Sequence, residues 1–156
     1  MNTNDEFRRV EAMLYNYKNT LAEIKILKRD LEILENDYRG TGAISYEEKT
    51  GKTNAFSSEV ENEVIKRAEK IQRLKNKIRL KEIEIENIDD AIESLLDDEQ
   101  LLVKERYFNK KSNKHVANLF NVAEQTACDY KSKVINKLMP LLISNSDYIQ
   151  KWLNIN

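Results

Sequence analysis

The fold is decided by Lys111–Leu138, whose sequence is KSNKHVANLFNVAEQTACDYKSKVINKL. It holds two short apolar patterns of helical spacing on either side of Asn121. Val116 and Phe120 give the first helix a buried face, and Ala117 is a small residue where a second helix can cross. Asn121 stands where a tight corner requires a positive φ, and Asn is the best substitute for Gly there. The stretch therefore predicts a helix-turn-helix.

The second helix of this corner has an apolar and a polar face. Ala127, Tyr130 and Val134 form the inner face, and Val122 is expected to fill the corner. In a helix-turn-helix the outer face meets base edges and phosphates, whereas the competing interpretation is an ordinary corner in a helical bundle. The predicted DNA-binding residues are Ser112, Lys114, Glu124, Gln125, Cys128, Asp129, Lys131, Ser132, Lys133 and Lys137.

These residues have different predicted roles. Gln125 is suited to adenine, and the acidic residues are suited to the amino group of cytosine. The lysines are expected to contact phosphates. Ser112 is expected to cap the first helix, whose N-terminus it could present to a phosphate.

Two long helical patterns precede the corner. The first covers Phe7–Tyr38 and the second begins at Ser58, where Glu61 completes a capping box. A polar segment, residues 39–57, separates them. The second pattern has an apolar row spaced by seven, which is Val64, Ile71, Ile78, Ile85 and Ile92. A sustained row predicts a seam against another helix. The simplest arrangement is a long antiparallel hairpin over residues 1–96, and a dimeric coiled coil is the alternative.

The C-terminal part, residues 97–156, is predicted to be the DNA-binding module with a tail helix. Its longer helix is expected to run from about Glu124 to Met139. Pro140 is expected to stop or kink that helix, because proline lacks an N–H and clashes one turn back. The apolar residues that follow, up to Leu153, predict a separate short helix.

Composition supports an all-α fold. The 156 residues include three Gly and one Pro, and the three Gly lie together at positions 40–51. Two long stretches thus lack the residues that hairpin turns require. The net charge is −1, but residues 1–98 carry −5 and residues 99–156 carry +4. A basic C-terminal part suggests a local anion-binding function, and ordinary scatter of charged residues is the alternative.

Several kinds of site are excluded or disfavoured by the sequence. One Cys and one His rule out an internal disulfide, a Cys-based zinc site and a His-rich metal site. Gly51-Lys52-Thr53 imitates the end of a phosphate-binding loop, but Tyr46 stands where that motif requires Gly. No apolar run approaches the roughly 20 residues of a membrane span. We therefore expect a cytoplasmic protein without enzymatic activity, cofactor or metal.

Motifs on both sides of the corner carry a family resemblance. They are Arg106-Tyr107-Phe108, Val116-Ala117, Phe120-Asn121-Val122, Thr126 and Lys137-Leu138. With them, Leu95–Leu138 resembles the fourth conserved region of sigma factors, which binds the upstream promoter element through a helix-turn-helix. Three further stretches are Glu11–Tyr17, Ser57–Val64 and Glu105–Asn109. Together these make nearly the whole chain similar to phage late-gene transcriptional activators of the RinA/ArpU type from Gram-positive bacteria.

The resemblance implies a protein that binds upstream of a phage operon and helps RNA polymerase start there. The implied DNA-reading positions are Glu124, Gln125, Cys128, Asp129, Ser132 and Lys133. Cys128, Asp129 and Tyr130 make this helix less basic than in sigma factors, so the sigma promoter preference is not implied. No region for opening DNA is present.

The predicted function is therefore sequence-specific regulation of transcription in a bacterial host cell. Its expected partners are double-stranded DNA, RNA polymerase and, through the helical arm, further copies of the chain. Two other functions stay open. A small terminase subunit for phage DNA packaging also combines a helix-turn-helix with helical oligomerisation, but forms rings. A structural coiled-coil adaptor would have a corner that never meets DNA.

Overall fold

The computed structural model describes residues 3–40 and 54–153, and the side chains of residues 3–36 and 61–143. Within these ranges every regular element is helical, which confirms the predicted all-α fold. The helices are α1 (Thr3–Gly40), α2 (Asn54–Glu93), α3 (Asp97–Val103), α4 (Asn113–Phe120) and α5 (Glu124–Leu153), with a π-helical turn at Lys104–Phe108. None of the described helices is long and apolar enough to cross a membrane.

The segment predicted to be a loop, residues 39–57, is helical at both of its ends. Residues 39–40 end α1 and residues 54–57 begin α2, while residues 41–53 lie outside the described range. The helix start predicted at Ser58 is wrong, because α2 begins four residues earlier at Asn54. Neither Gly nor Pro occurs between Thr53 and Ser58, so nothing in the local sequence opposes these extra helical residues.

The helix end predicted at Pro140 is also wrong. Helix α5 continues through Pro140 to Leu153 without a separate tail helix. A proline inside a helix costs about 3 kcal/mol through its missing hydrogen bond and its steric clash. Leu138, Leu142 and Ile143 are buried on either side of it. Burying each such side chain contributes roughly 1.5–3 kcal/mol, so tertiary packing offsets the local penalty.

The chain divides into two compact units. The first combines the residues up to Ala22 with those from Glu82 onward, and the second is Glu23–Lys81. The predicted division at residues 96 and 97 remains a prediction.

The core of the first unit joins residues far apart in sequence. Its buried members are Val10, Leu14, Ile88, Ala91, Leu95, Val103, Tyr107, Val134, Ile135, Leu138, Leu142 and Ile143. Val10 and Leu14 come from α1, where Phe7, Val10 and Leu14 repeat at spacings of three and four. Such a spacing gives one apolar stripe, and here the stripe packs against α2 and α5 residues. The N-terminal turns of the chain are therefore part of the structure that supports α5.

The second unit contains helical segments of α1 and α2 that run in opposite directions. Glu23 pairs with Lys81 at 2.7 Å, and Glu35 pairs with Lys75 at 2.7 Å. Ile24 and Ile78 are buried between the ion-paired positions. Exposed ion pairs contribute at most about 1 kcal/mol each, so the apolar contacts supply most of the stabilisation.

Candidate nucleic-acid interface

The corner between α4 and α5 is closed by backbone hydrogen bonds. Asn121 adopts φ 53° and ψ 46°, in the left-handed region, as the sequence predicts. The N–H of Val122 donates to the carbonyl of Ala117 at 3.0 Å, and the N–H of Asn121 donates to Asn118 at 3.2 Å. This pair of bonds is a Schellman motif, which satisfies carbonyls left without partners at the end of a helix. The corner thus ends α4 at a fixed residue.

The start of α4 is fixed as well. The Ser112 side chain accepts a hydrogen bond from the N–H of His115 at 3.2 Å, which confirms its predicted role as N-cap. Ser112 itself is exposed. Helix α4 is therefore defined at both ends by local hydrogen bonds.

The contact between α4 and α5 is apolar and tightly packed. Val116, Ala117 and Ala127 are buried together with Leu102 from α3. The Phe120 and Tyr130 rings meet edge to face, with centroids 5.8 Å apart. The prediction that Val122 fills the corner is wrong, because its side chain is 40% exposed. Leu102, which is fully buried, is the large aliphatic residue in this cluster instead.

The outer face of α5 begins with exposed polar residues. Glu124, Gln125, Asp129 and Lys133 are exposed, and Lys114 is exposed on α4. The Gln125 amide donates to the Asp129 carboxylate at 3.2 Å, so that these two side chains lie together. The amide and carboxylate are accessible to a ligand, and such groups can bond to base edges in a major groove.

Two other predicted DNA-binding residues are less exposed than these. Cys128 and Ser132 are half-buried. The Asn113 side-chain amide donates to the Cys128 sulfur at 3.2 Å, and the Ser132 hydroxyl donates to the Cys128 carbonyl at 3.0 Å. Cys128 thus joins the start of α4 to α5, whereas the Ser132 hydroxyl is bonded within α5.

Two predicted phosphate-contacting lysines form ion pairs inside the protein. Lys131 donates to Glu11 at 2.9 Å, and Lys137 donates to Glu99, which is only 4% exposed. Four other lysines near the α4–α5 corner make no ion pair with any residue in the described part of the chain. They are Lys110, Lys111, Lys114 and Lys133. We therefore regard these four as the cations available to phosphates.

Arg106 connects the turn before α4 to the rest of the first unit, and sequence reasoning gave it no role beyond the family resemblance. Its guanidinium donates to the Asn113 side chain at 2.9 Å and to the Lys111 carbonyl at 3.1 Å. It also lies over the Tyr15 ring, 5.3 Å from the centroid. Lys110 in the same turn has φ 54°. Arg106 thus positions a turn that contains a strained backbone, and no local sequence pattern indicates this.

A polar network ties α5 to α1 below this surface. The buried Tyr107 hydroxyl donates to the Glu11 carboxylate at 2.8 Å, and Lys131 donates to the same oxygen. Burial raises the pKa of Glu11, but the hydrogen bonds from Lys131 and Tyr107 outweigh it and leave the pKa below its usual 4.5. Burial beside this carboxylate raises the pKa of Tyr107. Glu11 is therefore ionised and Tyr107 neutral at physiological pH.

Replacing this carboxylate should reduce stability in a pH-dependent way. Because the folded-state pKa of Glu11 is lowered, its contribution is present above the unfolded-state pKa and is lost as pH falls through the folded value. We expect Glu11→Gln to lower the free energy of unfolding by about 1 kcal/mol at pH 7. The difference from wild type should shrink below about pH 4.5. Urea unfolding between pH 3 and 7 measures it, and a difference that grows towards low pH would contradict the assignment.

Comparisons with protein families, curated proteins and solved structures find no match to this chain. Among the described residues, no group of three or more His, Cys, Asp and Glu side chains is arranged to hold a metal ion.

Proposed function

We propose that this protein is a sequence-specific DNA-binding regulator of transcription, with α4 and α5 as its helix-turn-helix. The observation that carries the proposal is the corner itself. It is fixed by Ser112 and Asn121 at the two ends of α4, and it leaves Gln125 and Asp129 exposed on the first turns of α5. A recognition helix needs this combination of a rigid corner and accessible hydrogen-bonding groups.

The available charges fit the same interpretation. Lys110, Lys111 and Lys114 surround the start of α4, and Lys133 extends from α5. These lysines make no ion pair within the described ranges, and such lysines can neutralise phosphates and release bound counterions. Glu124 and Asp129 oppose indiscriminate binding, because their negative charge is repelled wherever no base donor faces them. The balance favours discrimination between sequences over coating of DNA.

The proposal includes a division of the chain. Residues 1–96 would form a long helical hairpin that serves as an arm for self-association or partner docking, and residues 97–156 the DNA-binding module. RNA polymerase is the proposed partner, as in the phage late-gene activators that the sequence resembles. Transcription by purified RNA polymerase is measured from a promoter that carries the selected DNA site. An increase when the protein is added would support RNA polymerase as the partner. Binding that leaves polymerase output unchanged would contradict it.

Selection of bound duplexes from a random DNA pool, repeated over a salt series, tests the DNA-binding function. We expect one recovered motif, with the logarithm of the affinity falling linearly against the logarithm of the salt concentration. Failure to enrich any motif at low salt would reject sequence-specific binding by the chain alone.

Two substitutions separate base reading from phosphate contact. We expect Gln125→Ala to change the preferred base at one position, at a cost of about 1–3 kcal/mol for the original site. Lys133→Ala should weaken binding to all sequences similarly and reduce the salt slope by about 1. Measurement of both variants on a panel of single-base changes checks this. Uniform losses for both would show that Gln125 does not read a base.

A further inference from the structure

The second unit contains a strongly basic block, although the net charge of residues 1–98 is negative. Residues 66–81 of α2 contain eight Lys and Arg residues and one acidic residue, Glu69, which gives a net charge of +7. Residues 1–98 as a whole carry −5. This block lies outside the α4–α5 corner, in the arm to which the proposed function gives self-association or partner docking but no contact with DNA.

Five of these cations share one face of α2. Their positions are Lys66, Lys70, Arg73, Lys77 and Lys81, which we call the basic stripe. Steps of four, three, four and four residues keep side chains on one side of a helix. At about 1.5 Å per residue the basic stripe is roughly 22 Å long.

The basic stripe is only partly neutralised within the protein. Lys77 and Lys81 both pair with Glu23, at 3.6 and 2.7 Å. Arg73 pairs with Glu69 at 3.6 Å, and its side chain remains 82% exposed. Lys66 and Lys70 are exposed and form no ion pair with any residue that the structure describes. Lys81 is half-buried, whereas the pairs of Arg73 and Lys77 are exposed. Exposed pairs are worth at most about 1 kcal/mol each, so an external polyanion can compete for Arg73 and Lys77.

The composition of the basic stripe favours a polyanion over a protein surface. A protein interface normally has an apolar centre surrounded by polar residues. The exposed apolar residues Val64 and Ile65 precede the basic stripe, and helical spacing places both on other faces of α2. A row of cations without apolar residues instead matches the regular phosphates of duplex DNA, which present one negative charge per roughly 1.7 Å of axis.

We propose that the basic stripe binds the phosphate backbone of duplex DNA without regard to sequence. It thus forms a second DNA contact, on a different unit from the helix-turn-helix. Each phosphate neutralised adds about 0.9 to the salt slope. Contact with Lys66 and Lys70 therefore accounts for up to about 2 units of that slope.

The test compares two full-length double variants that remove the same charge. The variant Lys66→Gln/Lys70→Gln removes the two lysines of the basic stripe that form no ion pair with a described residue. The matched control is Lys25→Gln/Arg29→Gln, which removes two exposed cations of α1 in the same unit. Gln is a good helix former, so circular dichroism should show unchanged helix content for both. Affinity for a random-sequence duplex is then measured across a salt series.

We expect the stripe variant to reduce the salt slope by about 1–2 and the affinity at the lowest salt by roughly tenfold, with much smaller changes in the control. Equal changes in the two variants, or no change, would overturn the proposal. Sedimentation without DNA adds one further outcome. If the stripe variant lost self-association while its salt slope stayed unchanged, the basic stripe would be an interface with a second copy, and the proposal would be wrong.

Motif selection and the salt slope of the stripe variant together distinguish a failure of the phosphate contact from a failure of sequence-specific binding. A recovered motif together with an unchanged slope in the stripe variant overturns only the inference. A slope that depends on Lys66 and Lys70, without any recovered motif, supports the inference and rejects sequence-specific reading.

Discussion

Leu138→Ala should destabilise the protein strongly, lowering the free energy of unfolding by about 2–5 kcal/mol. Leu138 is fully buried in the core that unites residues of α1, α2 and α5. Removing three side-chain carbons there loses transfer free energy and leaves a cavity, because surrounding side chains relax only in part. Urea unfolding followed by circular dichroism measures the loss.

Leu141 provides the matched control on the same helix, three residues away. Its side chain is 42% exposed. We expect Leu141→Ala to lower the free energy of unfolding by only about 1 kcal/mol or less, since a large part of the leucine surface is already in contact with water. Equal losses of unfolding free energy for the two variants would contradict the orientation of α5 around Pro140, in which Leu138 is buried and Leu141 is exposed. That orientation also explains why the helix continues through Pro140, since buried residues on both sides hold the chain helical.

Local features of the fold could be predicted from the sequence. Ser112, Ala117 and Asn121 act through the backbone within a few residues of their own positions. An N-cap, a small residue at a crossing and a left-handed corner each depend on side-chain chemistry that is independent of the distant chain. The sequence alone therefore predicts these three roles. In the structure Ser112 caps α4, Asn121 adopts the left-handed conformation, and Ala117 is buried in one cluster with Ala127.

Long-range features could not be predicted in the same way. Lys131 and Glu11 are 120 residues apart, and Lys137 and Glu99 are 38 apart. No spacing rule joins such positions, so the place of Lys131 and Lys137 on α5 does not predict these ion pairs. Their contact with DNA stays a prediction. The role of Arg106 was missed for the same reason, because its partners Tyr15 and Asn113 meet only in the folded chain.

Asn121 allows the link between the corner and DNA binding to be tested. Its φ of 53° is sterically unfavourable for most residues and most of all for β-branched ones. We expect Asn121→Val to lower the free energy of unfolding by at least about 1–2 kcal/mol, because the left-handed conformation costs this much for ordinary residues. It should also reduce affinity for the selected DNA site by roughly tenfold or more, since a displaced α5 cannot present Gln125 and Lys133 together.

Asn121→Gly separates the backbone effect from the loss of the asparagine side chain. Glycine adopts a positive φ without steric cost, so the Gly variant should keep wild-type DNA affinity and differ little in stability. Both variants are measured by urea unfolding and by titration of the selected duplex under conditions where each remains folded. If the Val variant were less stable but its folded molecules bound DNA with wild-type affinity, the corner would serve folding and not DNA binding. If Gly lost DNA affinity as strongly as Val, the Asn121 side chain itself would contact DNA, and the conformational explanation would be wrong.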